Sequence, residues 1–110
     1  MAEKYISIVG VSHYFGPEIF KVGQKVIMRK DHDNKQDDEA IQAELQTIGK
    51  VGYVANNYQT VAKGTQSAGR IYDSFDEACA GEVAFIVKDT VIAKVLPEEK
   101  VITEEESKGV

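Results

Sequence analysis

Cysteine is almost absent from this sequence, since Cys79 is the only one in 110 residues. A single thiol excludes an intramolecular disulfide, and by itself it cannot supply a thiolate zinc site. The first residues lack the charged-then-apolar order of a signal peptide, and no apolar run approaches the roughly 18 residues that span a bilayer. We therefore expect a reduced, cytoplasmic protein with no membrane partner.

Acidic residues are absent from one long stretch, residues 45–72, although the whole chain carries a net charge of −5. That net charge argues against a nucleic-acid binder that works through global basicity. The acid-free stretch contains Lys50, Lys63 and Arg70. It favours a face that accepts negative charge, with chance clustering in a polar loop as the alternative.

Short β-forming segments make up most of the chain, and Gly, Pro and polar clusters separate them. Six strands are predicted, over residues 4–14, 25–30, 40–45, 50–54, 82–87 and 91–96. A short helix is predicted over residues 58–63, and a second short helix or a long loop over 65–76. Six strands in so short a chain favour a closed or partly open barrel, because closure removes exposed sheet edges. The predicted fold is therefore mainly β: a small OB-like, six-stranded barrel with one or two short helices between strands 4 and 5.

One domain is expected over residues 1–96, followed by an acidic, flexible tail over 97–110. The tail begins at Pro97 and contains five glutamates and two lysines. Without it, residues 1–96 have 11 basic and 13 acidic residues, so the barrel itself is nearly balanced in charge.

The polar motifs do not support catalysis, a metal site or a cofactor. The run 31–39 resembles a calcium loop in composition, but Gln36 stands where glycine is required and Lys35 where a ligand is required. Neighbouring Ser12 and His13 point to opposite faces of a strand, so they form no catalytic pair. Cys79, between two alanines, is interpreted as a small buried hydrophobe.

Two features point instead to binding. Lys63 and Arg70 bracket glycines whose exposed N–H groups suit a phosphate of a polymer backbone, with a plain surface connection as the alternative. Aromatic rings also lie at strand ends or in the helical insert, where they offer platforms for unpaired bases unless they are simply core residues. These rings are His13, Tyr14, Phe15, Tyr53, Tyr58 and Tyr72.

The order and spacing of four segments resemble the HIRAN domain over residues 5–96, in its small free-standing bacterial form. The segments are GVSHYFG at 10–16, KVIMRK at 25–30, NKQDDEAI at 34–41 and GKVGYV at 49–54. The resemblance implies an OB-like barrel. In helicase-fused members the domain captures single-stranded DNA ends, stacking bases on aromatic rings and hydrogen-bonding the terminal hydroxyl.

The resemblance assigns roles to several positions. Asp37 keeps the loop aspartate that accepts from a terminal hydroxyl, Tyr14 keeps an aromatic, and Tyr53 stands where a histidine or tyrosine is expected. His13 replaces the first aromatic of the pattern, and Asn56 falls where a lysine is expected. Three further positions depart from the pattern: Ser12, Gln36 and Glu39. The candidate nucleic-acid-binding residues are therefore His13, Tyr14, Asp37, Tyr53, Asn56, Lys63 and Arg70.

The predicted function is non-catalytic binding of nucleic acid, with single-stranded DNA or exposed DNA ends favoured, by base stacking and phosphate contacts. The alternative is a protein-interaction or adaptor domain that has lost nucleic-acid binding. The acidic tail and the departures from the family pattern favour that alternative.

Overall fold

Six antiparallel strands form one closed barrel in the computed structural model, which describes residues 3–97, 99 and 101. Around the barrel the strands follow the order β1-β4-β3-β2-β5-β6, and β6 closes on β1. The strands are β1 Tyr5–Val9, β2 Lys25–Lys30, β3 Ile41–Leu45, β4 Gly49–Val54, β5 Ala78–Val87 and β6 Thr90–Leu96. The fold class predicted from sequence is confirmed.

Short helical segments fill the connections between the strands. The α-helix α1 covers Ala68–Ile71, and 3-10 turns cover Val11–His13, Pro17–Ile19 and Tyr72–Ser74. The insert between β4 and β5 therefore carries α1 and one 3-10 turn, which agrees with the predicted placement of helices. Within the described residues, no helix has both the length and the apolar character needed to cross a membrane.

Two predicted elements were wrong, and a third was too short: the strand predicted over residues 82–87 begins four residues earlier, at Ala78. The first strand was predicted over residues 4–14, but it ends at Val9, because Gly10 takes a left-handed backbone with φ 71° and starts the 3-10 turn. The helix predicted over residues 58–63 is a series of turns. At Ala62 the backbone bonds to β1 instead of continuing a helix, because its N–H donates to Ser7 Oγ over 3.1 Å.

The insert is fastened to the outside of the barrel through Ser7, the buried polar side chain of β1. Ser7 Oγ and Thr65 Oγ1 share a hydrogen bond of 2.9 Å, and the N–H of Gln66 donates to the carbonyl of Tyr5 over 2.7 Å. These contacts satisfy a hydroxyl that would otherwise be buried without a partner. They fix residues 62–66 against the barrel wall.

Alternating side chains of the strands point inward and form the core, as the period of two in the sequence of β3 predicts; the burial pattern of β6 alternates as well. Cys79 is part of this core, as expected, and burial raises the pKa of its thiol to about 12. Gly52 of β4 lies where a Cβ would come within 2.8 Å of the carbonyl oxygen of Val9. Its lack of a side chain therefore permits the close pairing of β4 with β1.

The tail predicted over residues 97–110 lies outside the described residues except for 97, 99 and 101. Of these, Glu99 accepts hydrogen bonds from Lys25 Nζ at 2.9 and 3.1 Å.

Candidate functional site

A concavity of about 610 Å³ opens between the β2–β3 loop and the residues that follow β4. The loop contributes Asn34 and Asp37, and the chain after β4 contributes Asn56 and Tyr58. Tyr53, at the end of β4, completes the lining. A carboxylate, two side-chain amides and two aromatic rings therefore lie together at one end of the barrel.

Asn34 gives the β2–β3 loop its shape. Its Oδ1 accepts from the N–H of Gln36 over 2.9 Å and from the N–H of Asp37 over 3.0 Å. Asp37 Oδ1 in turn accepts from the N–H of Glu39 over 2.9 Å. Such Asx turns are a local property of asparagine and aspartate. They hold the Asp37 carboxylate at the rim of the concavity.

Asn56 connects this loop to α1. Its Nδ2 donates to both carboxylate oxygens of Asp37, at 2.9 and 3.2 Å, and its Oδ1 accepts from the N–H of Gly69 over 2.8 Å. The structure thus brings together two of the residues predicted to form the site. A lysine, the residue expected at position 56 from the family pattern, has no acceptor and could not receive the Gly69 N–H.

A second cluster, formed by Asp31, Lys50, Tyr53 and Tyr14, lies beside the concavity. Tyr53 donates its hydroxyl proton to Asp31 Oδ2 over 2.5 Å, and Lys50 Nζ donates to the Tyr53 oxygen over 3.0 Å. Lys50 Nζ also lies 5.8 Å from the centre of the Tyr14 ring, within cation–π range. The predicted residues Tyr14 and Tyr53 are therefore linked through Lys50.

The pKa shifts in this cluster follow from its hydrogen bonds and its burial. The Tyr53 hydroxyl lowers the pKa of the Asp31 carboxyl, and its hydrogen bond with Lys50 raises the pKa of that ammonium group. Burial, and then the hydrogen bond to Asp31, raises the pKa of Tyr53 itself. At neutral pH the cluster therefore holds a carboxylate, a neutral phenol and an ammonium group.

A smaller concavity of about 330 Å³ continues from the first, and Asn56 and Tyr58 line both. Tyr58 is 87% exposed, so its ring stands open between the two. At the far side lies Arg70 of α1, exposed and without an ion pair among the described residues. Ser67 caps α1 by accepting from the Arg70 N–H over 3.3 Å.

Three predicted residues line neither concavity: Lys63, His13 and Tyr14, of which Tyr14 belongs to the cluster beside the first one. Lys63 lies in a third concavity with Tyr5 and Phe85, on the other side of residues 62–65. His13 is exposed in the 3-10 turn that precedes Tyr14.

Four residues of this region were absent from the predicted set: Asp31, Asn34, Lys50 and Tyr58. Lys50 and Tyr58 had a signal in the sequence, since they lie in the acid-free stretch. Asn34 also had one, as the first residue of the quoted loop motif. Only the hydrogen bond from Tyr53 distinguishes Asp31 from its acidic neighbours.

Charge is divided unevenly along the two concavities. The first concavity is lined by one acidic residue, Asp37, and the smaller one by one basic residue, Arg70. Within residues 3–97, 99 and 101, no group of three or more His, Cys, Asp or Glu side chains is placed to hold a metal ion. The region therefore offers hydrogen bonding and stacking, with a negative end and a positive end.

The family model for the HIRAN domain matches residues 2–74, which is more than half of the chain. The chain belongs to the HIRAN family. No functionally curated protein sequence matches it significantly.

Two solved structures share the fold of this HIRAN domain. One is a protein from Lactobacillus plantarum, 21% identical, which superposes with a TM-score of 0.61 over 84% of this chain and 88% of the other. The second is the HIRAN domain of human HLTF, 18% identical, with a TM-score of 0.62 over 86% of this chain and 73% of the other. At these identities the likeness establishes the fold alone.

The residues matched by the family model contain both connected concavities of this HIRAN domain. They run from β1 through α1 and include Asp37, Asn56, Tyr58 and Arg70. The closing hairpin of β5 and β6 lies beyond the match. The region built from the β2–β3 loop and the first part of the insert thus lies within the residues that the family model matches.

Proposed function

We propose that this HIRAN domain is a non-catalytic module that binds single-stranded nucleic acid, preferably DNA, along the two connected concavities. The observation that carries the proposal is the Tyr58 ring, 87% exposed between two concavities that it lines jointly with Asn56. Unpaired bases stack on exposed aromatic rings, and here the ring lies on a concave, polar surface. Tyr14 and Tyr53, linked through Lys50, supply further ring surface beside it.

The uneven charge gives the bound strand a direction. Phosphates are repelled by the acidic β2–β3 loop, so their contact within the concavities falls to Arg70, with Lys50 of the neighbouring cluster as the second cation. Asp37 lies at the acidic end, where an anionic phosphate is disfavoured and a hydroxyl group of the strand can donate to the carboxylate. Its carboxylate uses three hydrogen bonds, two from Asn56 and one from the Glu39 N–H, and a carboxylate has about four acceptor sites. A terminal sugar hydroxyl would occupy the remaining site, so a strand end belongs there.

Lys63 is left out of this binding path, because it lies in the third concavity with Tyr5 and Phe85. With Lys50 and Arg70 as the two phosphate contacts, the slope of log affinity against log salt should be about −1.4 for a single strand. That is a weak salt dependence, as expected for an acidic protein that binds mainly by stacking.

The test is fluorescence anisotropy with an oligothymidine of about 12 nucleotides, carrying either a free 3′ hydroxyl or a 3′ phosphate. The full chain should bind the free end more tightly than the blocked one. Arg70→Ala should weaken binding and reduce the salt slope by about 0.7, while Lys21→Ala, a change of another exposed cation outside the concavities, should leave both unchanged. Absence of binding at low salt would overturn the proposal. Equal binding of both ends would overturn only the capture of a terminal hydroxyl.

A further inference from the structure

The third concavity, about 680 Å³ in volume, lies on the outer face of β5, β6 and β1. Cross-strand neighbours form its floor: Phe85 pairs with Ile92, and Val87 pairs with Thr90. Residues 62–65 of the insert form the opposite wall. We call this concavity the hairpin groove. It lies outside the proposed nucleic-acid path.

The hairpin groove exposes more apolar surface than the barrel needs to fold. Phe85 is 60% exposed and Val87 is 58% exposed, while the inward-facing residues Val83 and Val91 already fill the core. Large side chains that form a contiguous exposed apolar patch usually mark a site of interaction.

The backbone beside the groove favours a polypeptide as the occupant. The ladder between β5 and β2 ends at Glu82, and the last backbone contacts on that side join Val83 to Gln24 and Gly23. From Ala84 to Val87 that edge of β5 has no backbone partner among the residues that the structure describes. A peptide can pair with a free strand edge, whereas a nucleic acid cannot.

The charged residues around the groove indicate which peptide sequences would bind there. Lys63 and Lys88 stand at the rim of the groove, both exposed, and neither has an ion pair within the described residues. Asp89 is the one acidic residue of the lining. We propose that the hairpin groove docks a short protein segment in which apolar side chains are flanked by Asp or Glu. Apart from Thr65, which lines both the hairpin groove and the smaller concavity, this proposal uses different residues from the nucleic-acid path.

The experiment maps amide chemical shifts of the full ¹⁵N-labelled chain during titration with synthetic peptides. The probe is Glu-Glu-Leu-Phe-Val-Asp-Glu, compared with Lys-Lys-Leu-Phe-Val-Lys-Lys and Glu-Glu-Ser-Ser-Ser-Asp-Glu. The first peptide should shift the amides of residues 62–65 and 84–90, and the other two should bind at least about fivefold more weakly. Phe85→Ser should weaken the first peptide about tenfold, and Lys88→Glu about fivefold.

Matched controls separate these effects from general damage to the fold. Phe15→Ser removes another exposed ring, and Lys21→Glu reverses another exposed charge; neither residue lines the groove, so both variants should bind like wild type. Three results would each overturn the proposal. They are no shift in residues 62–64 and 84–90 with any peptide, equal binding of the charge-reversed peptide, and an oligothymidine that shifts the amides of residues 84–90.

Discussion

Removing the Tyr58 ring is the sharpest perturbation of the proposed nucleic-acid path. The side chain is 87% exposed, so Tyr58→Ala should leave the free energy of unfolding within about 0.5 kcal/mol of wild type. Stacking of one base on an aromatic ring contributes about 1–3 kcal/mol. Because each 1.4 kcal/mol is tenfold in affinity, the Kd for single-stranded DNA should rise about 5- to 150-fold.

The assay is the anisotropy titration described above, combined with urea unfolding of each variant. Tyr58→Phe keeps the ring and should bind within about twofold of wild type, because stacking needs the π-face rather than the hydroxyl. Phe85→Ala is the matched control, since it removes an exposed ring from the hairpin groove and should not affect DNA. A Tyr58→Ala variant that is folded and binds as tightly as wild type would refute stacking at this position.

Three further changes test the framework around the site. Asn56→Ala removes both hydrogen bonds to Asp37 and should lower the free energy of unfolding by about 1–3 kcal/mol, measured in urea; an unchanged value would mean that the loop is held by other contacts. The hydrogen bond from Tyr53 lowers the pKa of Asp31, so its stabilisation is fully present above the unfolded pKa of about 3.9 and is lost as pH falls through the folded pKa. Tyr53→Phe should therefore destabilise the protein more near pH 7 than near pH 3, and an equal loss at both would contradict this assignment. Gly52→Ala should cost about 1–3 kcal/mol and lower Tm by about 4 °C or more in a thermal melt, because the new Cβ would meet a backbone oxygen that pairing holds in place; a melt unchanged from wild type would show that the strands can separate.

The strands could be predicted because their signal is local. Alternation of apolar and polar residues in residues 40–45 indicates a strand with one face in the core and one outside, and the structure shows that burial pattern in β3. Strand ends were less predictable. A single left-handed glycine, Gly10, ended β1 five residues before the predicted boundary.

The helix predicted over residues 58–63 failed for a non-local reason. The N–H groups of Thr60 and Val61 bond locally to the Asn57 carbonyl, but the next N–H, that of Ala62, donates to Ser7 Oγ on β1 and the helical pattern stops there. Nothing within six residues of Ala62 indicates that partner, because Ser7 lies 55 positions away. Tertiary contacts decided the local structure here.

The candidate site, too, could be predicted only in part. The residue types were visible in the sequence: an aspartate in an Asx-rich loop, tyrosines near strand ends, and cations in an acid-free stretch. The grouping of these residues in space was not visible in the sequence, because it depends on hydrogen bonds between distant segments, such as those of Asn56 with Asp37 and with Gly69. Lys63 and Arg70 are seven positions apart, yet the insert places them in different concavities.

By itself the sequence determined the mainly β class, the six strands and the family resemblance, because these follow from side-chain periodicity and from motifs read along the chain. Only the tertiary structure decided which polar groups meet, where charge accumulates and which apolar side chains are left outside the core. The hairpin groove is the clearest example. Phe85 and Val87 resemble any other strand hydrophobes in the sequence, and only closure of the barrel leaves them facing water, because a strand has two faces and the core covers one.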